Sequence, residues 1–123
     1  MLASSIGWIL VASGIVTAGG GLAAFLTPAF LLRFAFDVDR PDASTLFFVR
    51  HWGVLILAVG ALIVYSASAP ATRLPVLIAA SVEKFAVVVL VFFGPLKRTL
   101  PMTAIAATDG LFTVLYVAYL AGL

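Results

Sequence analysis

Five ionisable side chains interrupt otherwise apolar stretches of this sequence: Arg50 and His51, Glu83 and Lys84, and Asp109. A charge in hydrocarbon costs about 2.5–3.5 kcal/mol on insertion scales, so such residues turn inward and pair. Arg50 and Lys84 supply positive charge and Glu83 and Asp109 supply negative charge, which makes the set neutral. A neutral, mutually hydrogen-bonded cluster is the form in which ionisable groups are tolerated away from water. Asp109, Thr113 and Tyr116 recur at spacings of four and three, which puts them on one helix stripe. The candidate ligand-binding set is therefore Arg50, His51, Glu83, Lys84, Asp109, Thr113 and Tyr116. In one arrangement Arg50 takes an acidic or polar headgroup, while Glu83 and Asp109 hold Arg50 and Lys84 in place. In another, the protein is a proton-coupled transporter or a membrane isomerase in which Glu83, His51 and Asp109 move protons, with histidine titrating near neutral pH. The bland alternative is an ion-pair cluster that only fixes helix register.

Other chemistries fall away. A single histidine excludes bis-histidine haem ligation, and zero cysteines exclude disulfides, thiolate metal sites and a thiol nucleophile. A metal held by His51, Glu83 and Asp109 is opposed by Arg50 and Lys84 beside it. Ser5, Ser13 and Ser81 have no basic partner at a clear spacing. Gly19-Gly20-Gly21 has no strand before it, so it is not a phosphate loop. No catalytic residue set, cofactor or metal is expected. The pI near 9.4 reflects basic residues at segment ends and does not point to nucleic acid.

The elements that must position these groups are membrane spans. The chain has 123 residues, 64% hydrophobic and 10% charged, with a mean hydropathy of +1.26. A soluble domain carries about 25% charged residues. The apolar residues fall into blocks of about 20, the length that crosses a hydrocarbon core of about 30 Å. The expected fold is all-α: a single polytopic membrane four-helix bundle with short loops. Its spans lie near residues 5–26, 46–66, 75–93 and 102–120, with an interfacial helix after span one at 29–36. The N-terminus lacks a basic region ahead of the apolar block, so span one is expected to be retained rather than cleaved. Pro75 and Pro101 suit helix first turns, and Asp42 suits a cap for span two.

Loop charges set the orientation. Arg33 and Arg40 lie in loop one, Lys97 and Arg98 in loop three, and Arg73 alone in loop two. The positive-inside rule then puts loops one and three in the cytoplasm and both termini on the outer side, as in a bacterial inner membrane protein. At 1.5 Å per residue, Arg50 lies about 6–8 Å deep, Asp109 about 10–12 Å and Glu83 about 15 Å, all from the cytoplasmic face. Trp52 and Tyr119 sit near span ends, where aromatic belts form.

Gly7, Gly14 and Gly21 recur every seven residues in span one, with Thr17 and Ala18 between them, and Gly53 and Gly60 repeat the device in span two. Small residues let helices approach closely where lipid offers no hydrophobic drive for association. The expected partners are membrane lipid, a small hydrophobic ligand within the bundle, and a second copy joined through the glycine faces.

Arg50, Gly53, Asp109 and Gly110, within the segments at 48–67 and 75–85 and near span four, resemble bacterial four-span membrane proteins of the DUF4345 type. That resemblance covers most of the chain and implies the four-span architecture. A weaker similarity, carried by Arg50, Trp52, Gly53, Tyr65, Ala67 and Glu83, is to Erg28-like membrane scaffolds. It implies a subunit that docks lipid-modifying membrane enzymes.

Overall fold

A computed structural model of the protein describes residues 2–123. The described residues form an all-α bundle of five helices: α1 (Ile6–Leu26), α2 (Pro28–Phe36), α3 (Ala43–Ser68), α4 (Arg73–Phe93) and α5 (Leu100–Leu120). The segments Ile6–Leu26, Ala43–Ser68, Pro70–Phe93 and Leu100–Leu120 are each long and apolar enough to cross a membrane. At 1.5 Å per residue, 21 residues reach about 31 Å, which matches a hydrocarbon core. Large apolar side chains cover the outside, with Trp8 67% and Phe93 84% exposed. An exterior of this kind is stable against acyl chains and costly against water.

Local chemistry sets the helix ends. Thr27 closes α1 by donating its hydroxyl to the Ala23 carbonyl at 2.8 Å. Pro28 then opens α2, at a position where no N–H is needed. Asp37 ends α2 in the left-handed region at φ 59°, a conformation that a short polar side chain tolerates. Asp42 caps α3 by accepting the Thr45 N–H at 2.8 Å. The Thr45 backbone N–H, and then its side chain, hold the Asp42 carboxyl below the ordinary range. Thr99 caps α5, accepting from the Met102 N–H at 3.2 Å. Its own hydroxyl donates to the Ala35 carbonyl of α2, which fastens α2 to the start of α5. An exposed Lys97–Asp37 pair at 3.1 Å lies at the same end.

The tightest contact is α1 against α3. A Cβ built on Gly14 would lie 2.6 Å from a Val64 methyl, one on Gly53 would lie 2.6 Å from the Gly21 carbonyl oxygen, and one on Gly60 would lie 2.7 Å from Ala18. Gly14, Gly21, Gly53 and Gly60 are all buried in this seam. Within one chain, these four glycines pack at the α1–α3 contact. Gly7, which shares their spacing, has nothing within 4 Å of its Cβ position.

The other long pair is the α4–α5 hairpin, which packs beside α1–α3. Ile6 and Leu10 of α1, Ile63 of α3, Leu77 and Ala80 of α4, and Tyr116 of α5 form the apolar core. This core lies toward the end of the bundle that holds the termini and the α3–α4 turn. At that end Arg73 closes the C-terminus of α3, donating to the Ser66 carbonyl at 2.9 Å and the Ala67 carbonyl at 2.8 Å. It also donates to the Tyr119 hydroxyl at 3.3 Å, so Tyr119 serves as more than a belt residue. Hydrogen bonds to a charged group contribute about 1.5–3 kcal/mol. Arg73→Ala is therefore expected to lower stability in detergent by roughly that amount in thermal unfolding, with Arg73→Lys recovering only part because one ammonium cannot span three acceptors.

Candidate functional site

The site is built on the inward face of α4. Leu77, Ala80, Ser81 and Lys84 recur at helical spacing and are its buried residues. Lys84 is only 1% exposed. Its ammonium donates to the Thr17 hydroxyl of α1 at 2.7 Å and to the Asp109 carboxylate of α5 at 3.0 Å. It also lies 5.5 Å from the centre of the Phe112 ring. A cation out of water needs this full set of acceptors.

Glu83 is one residue earlier, about 100° round the helix. Its Oε1 is 3.9 Å from Lys84 Nζ. That oxygen is buried and has no hydrogen-bond donor among the described residues. Lys84, Asp109 and Glu83 thus form a three-charge cluster, with Thr17 joining α1 to it.

The cluster floors a cavity of about 630 Å³, a volume typical of small-molecule sites. All five helices contribute walls: Val16 and Gly20 from α1, Leu31 and Phe36 from α2, Trp52 and Ile56 from α3, Val87, Leu90 and Val91 from α4, and Met102, Ile105 and Thr108 from α5. The cavity runs from the cluster to the α4–α5 connection, where Pro95, Leu96, Lys97 and Arg98 line it. The cavity is thus a largely apolar channel with a charged floor and a basic rim.

Two expected members are elsewhere. Arg50 and His51 are exposed and line a separate open groove of about 470 Å³ with Phe25, Phe47 and Val54. His51 stacks on Phe47 at 6.4 Å. The reason is the glycine seam. Gly53 and Gly60 turn their face of α3 onto α1, so Arg50, one turn before Gly53, is directed to the Phe25 end of α1 and not to α4 and α5. The neutral four-charge cluster is corrected to one cation and two carboxylates, and the relay of Glu83, His51 and Asp109 loses its histidine.

The polar stripe of α5 also divides. Thr113 donates to the Asp109 backbone carbonyl at 2.8 Å and does not line the cavity. Tyr116 is fully buried in the apolar core, with its hydroxyl on Ser13 and its ring stacked on Phe112 at 6.3 Å. The residue that sequence reasoning missed is Thr17. Its signal was its place between Gly14 and Gly21 on the face that meets the rest of the bundle. Among the described residues, no group of three or more His, Asp or Glu side chains is placed to hold a metal ion.

No protein-family model, curated protein or solved structure matches the chain. The reading of function therefore rests on the geometry of the cavity and its floor.

Proposed function

We propose that this chain is an integral membrane protein that binds a lipid or small amphipathic ligand inside its bundle. The cavity of about 630 Å³ beside Lys84, Asp109 and Glu83 carries this reading. Its walls are apolar, as a ligand body taken from lipid requires, and charged groups gather at its floor and its rim. The scaffold alternative, a subunit that docks other membrane enzymes, predicts exposed glycine faces and no cavity. The buried seam of Gly14, Gly21, Gly53 and Gly60 favours the ligand reading over it.

The orientation proposed, in a bacterial inner membrane, has both termini outside. Asp37 pairs with Lys97 and Thr99 bonds to Ala35, so loops one and three share one end. Arg33, Arg40, Lys97 and Arg98 gather there. Arg73, the one basic side chain in loop two, is engaged by the α3 carbonyls. That asymmetry supports a cytoplasmic placement for loops one and three. The cavity then has its rim toward the cytoplasmic leaflet.

Native mass spectrometry of protein extracted in mild detergent tests the reading. The wild-type protein is expected to retain a lipid-sized adduct. Val87→Trp, which fills the cavity, is expected to lose it, while Arg50→Gln in the outer groove keeps it. An adduct that survives Val87→Trp, or no adduct in any form, would count against a site within the bundle.

A further inference from the structure

The buried cluster is one positive charge short. Lys84 stands against both Asp109, at 3.0 Å, and Glu83, at 3.9 Å. Among the described residues, no second cation meets this end of the cavity. Thr17 of α1 is neutral and accepts from Lys84. Trp52 of α3 is neutral. Tyr116 of α5 donates to Ser13. At the rim, Lys97 pairs with Asp37 and Arg98 lies over the Phe92 ring. Arg50 is in the other groove. Asp109 has the short contact to the ammonium and Glu83 the long one. The surplus negative charge therefore belongs to Glu83, whose Oε1 is buried without a hydrogen bond. The Glu83 side chain is 20% exposed, on the cavity wall; with one oxygen shut away from any donor, its carboxylate takes up a proton or meets a cation.

We propose that Glu83 is an exchange site for one positive charge: a proton in the free protein, and the cationic centre of a lipophilic organic cation in the complex. This deepens the reading of the cavity as a ligand site and rests on it. Ile56, Val87 and Ile105 would surround the apolar body, and the Trp52 ring on the same wall offers a face to the cation. No covalent bond forms to the ligand. The O–H bond of the Glu83 carboxyl breaks, its proton leaves to water, and the cation takes its place, so the charge of the cluster is the same before and after. Because ligand and proton compete for one carboxylate, binding weakens as pH falls.

Isothermal titration of the full chain in detergent tests this, with methyltriphenylphosphonium as the cation and triphenylphosphine oxide as its neutral analogue. The cation is expected to bind about tenfold or more tighter than the neutral probe at high pH. On the acid side its affinity should fall about tenfold for each pH unit. In that acid range, titrations in two buffers of different ionisation enthalpy should show a proton released on binding. Glu83→Gln should bring the cation down to the affinity of the neutral probe and remove its pH dependence. Equal binding of both probes at every pH, or cation binding on the acid side without proton release, would overturn the exchange site and leave the cavity reading standing. Binding of neither probe would sink both. The proton count is made on the wild-type chain, so it decides the matter even where the variant does not fold.

Discussion

Lys84→Met is expected to be the most damaging single change in the polar interior, lowering stability by about 3–5 kcal/mol, the usual loss when one partner of a buried ion pair is removed. Methionine fits the space but removes the cation that faces Asp109 and Glu83. Thr17 also loses the donor it accepts from. The same geometry predicts an asymmetry between the partners. Asp109→Asn leaves Lys84 with Glu83 3.9 Å away; once Glu83 gives up its proton, a small side-chain movement closes a neutral pair, so the loss should be clearly smaller. Adding Asp109→Asn to Lys84→Met should restore part of the stability, because the uncompensated charge goes with it. A double-mutant cycle read by thermal unfolding in detergent measures this coupling. Equal losses for the two single changes, with no recovery in the pair, would mean that the cluster is not an ion pair holding α1, α4 and α5 together.

The bilayer makes some features of such a chain easy to read and hides others. The helical class and the apolar spans were legible because a membrane tolerates only segments that satisfy their own backbone. Spans expected from residues 46 and 75 begin at Ala43 and Arg73, as the Asp42 cap and the turn at Pro70–Thr72 add a few residues ahead of the apolar blocks. Glu83, Lys84 and Asp109 were legible for a related reason, since charges in hydrocarbon stand out and residue counting gives their depth. Counting gives height but no azimuth. Arg50 has a depth compatible with the cluster, yet the direction of α3 is set by Gly53 and Gly60 meeting α1. The stripe of Asp109, Thr113 and Tyr116 has the right azimuth but extends over seven residues, about 10 Å along the axis, so Tyr116 reaches Ser13 in the apolar core instead. Thr17 was hidden because threonine sits in any apolar helix, and its partner is 67 residues away.

Gly60→Leu is expected to match or exceed the Lys84 change, and its effect should reach the cavity. Even a Cβ at this position would meet the Cα and Cβ of Ala18 at 2.7 Å. Backbone cannot rotate aside as a flexible side chain does, so α1 and α3 must separate. Overpacking in a dense interior costs about 1–3 kcal/mol when neighbours yield a little, and more when they are backbone. Thr17 is the residue before Ala18, so the displaced segment of α1 carries the hydroxyl that Lys84 needs. Loss of that contact exposes the polar floor of the cavity to rearrangement. Gly60→Leu should therefore lower thermal stability by about 3 kcal/mol or more and weaken retention of any ligand together with it. Gly19→Leu, on the same helix as Thr17 but with nothing within 4 Å of its Cβ position, should change stability by no more than about 0.5 kcal/mol. If both substitutions behaved alike, close helix approach would not be what aligns α1 with the charges of α4 and α5. The position of Thr17, and with it the site, would then need another cause.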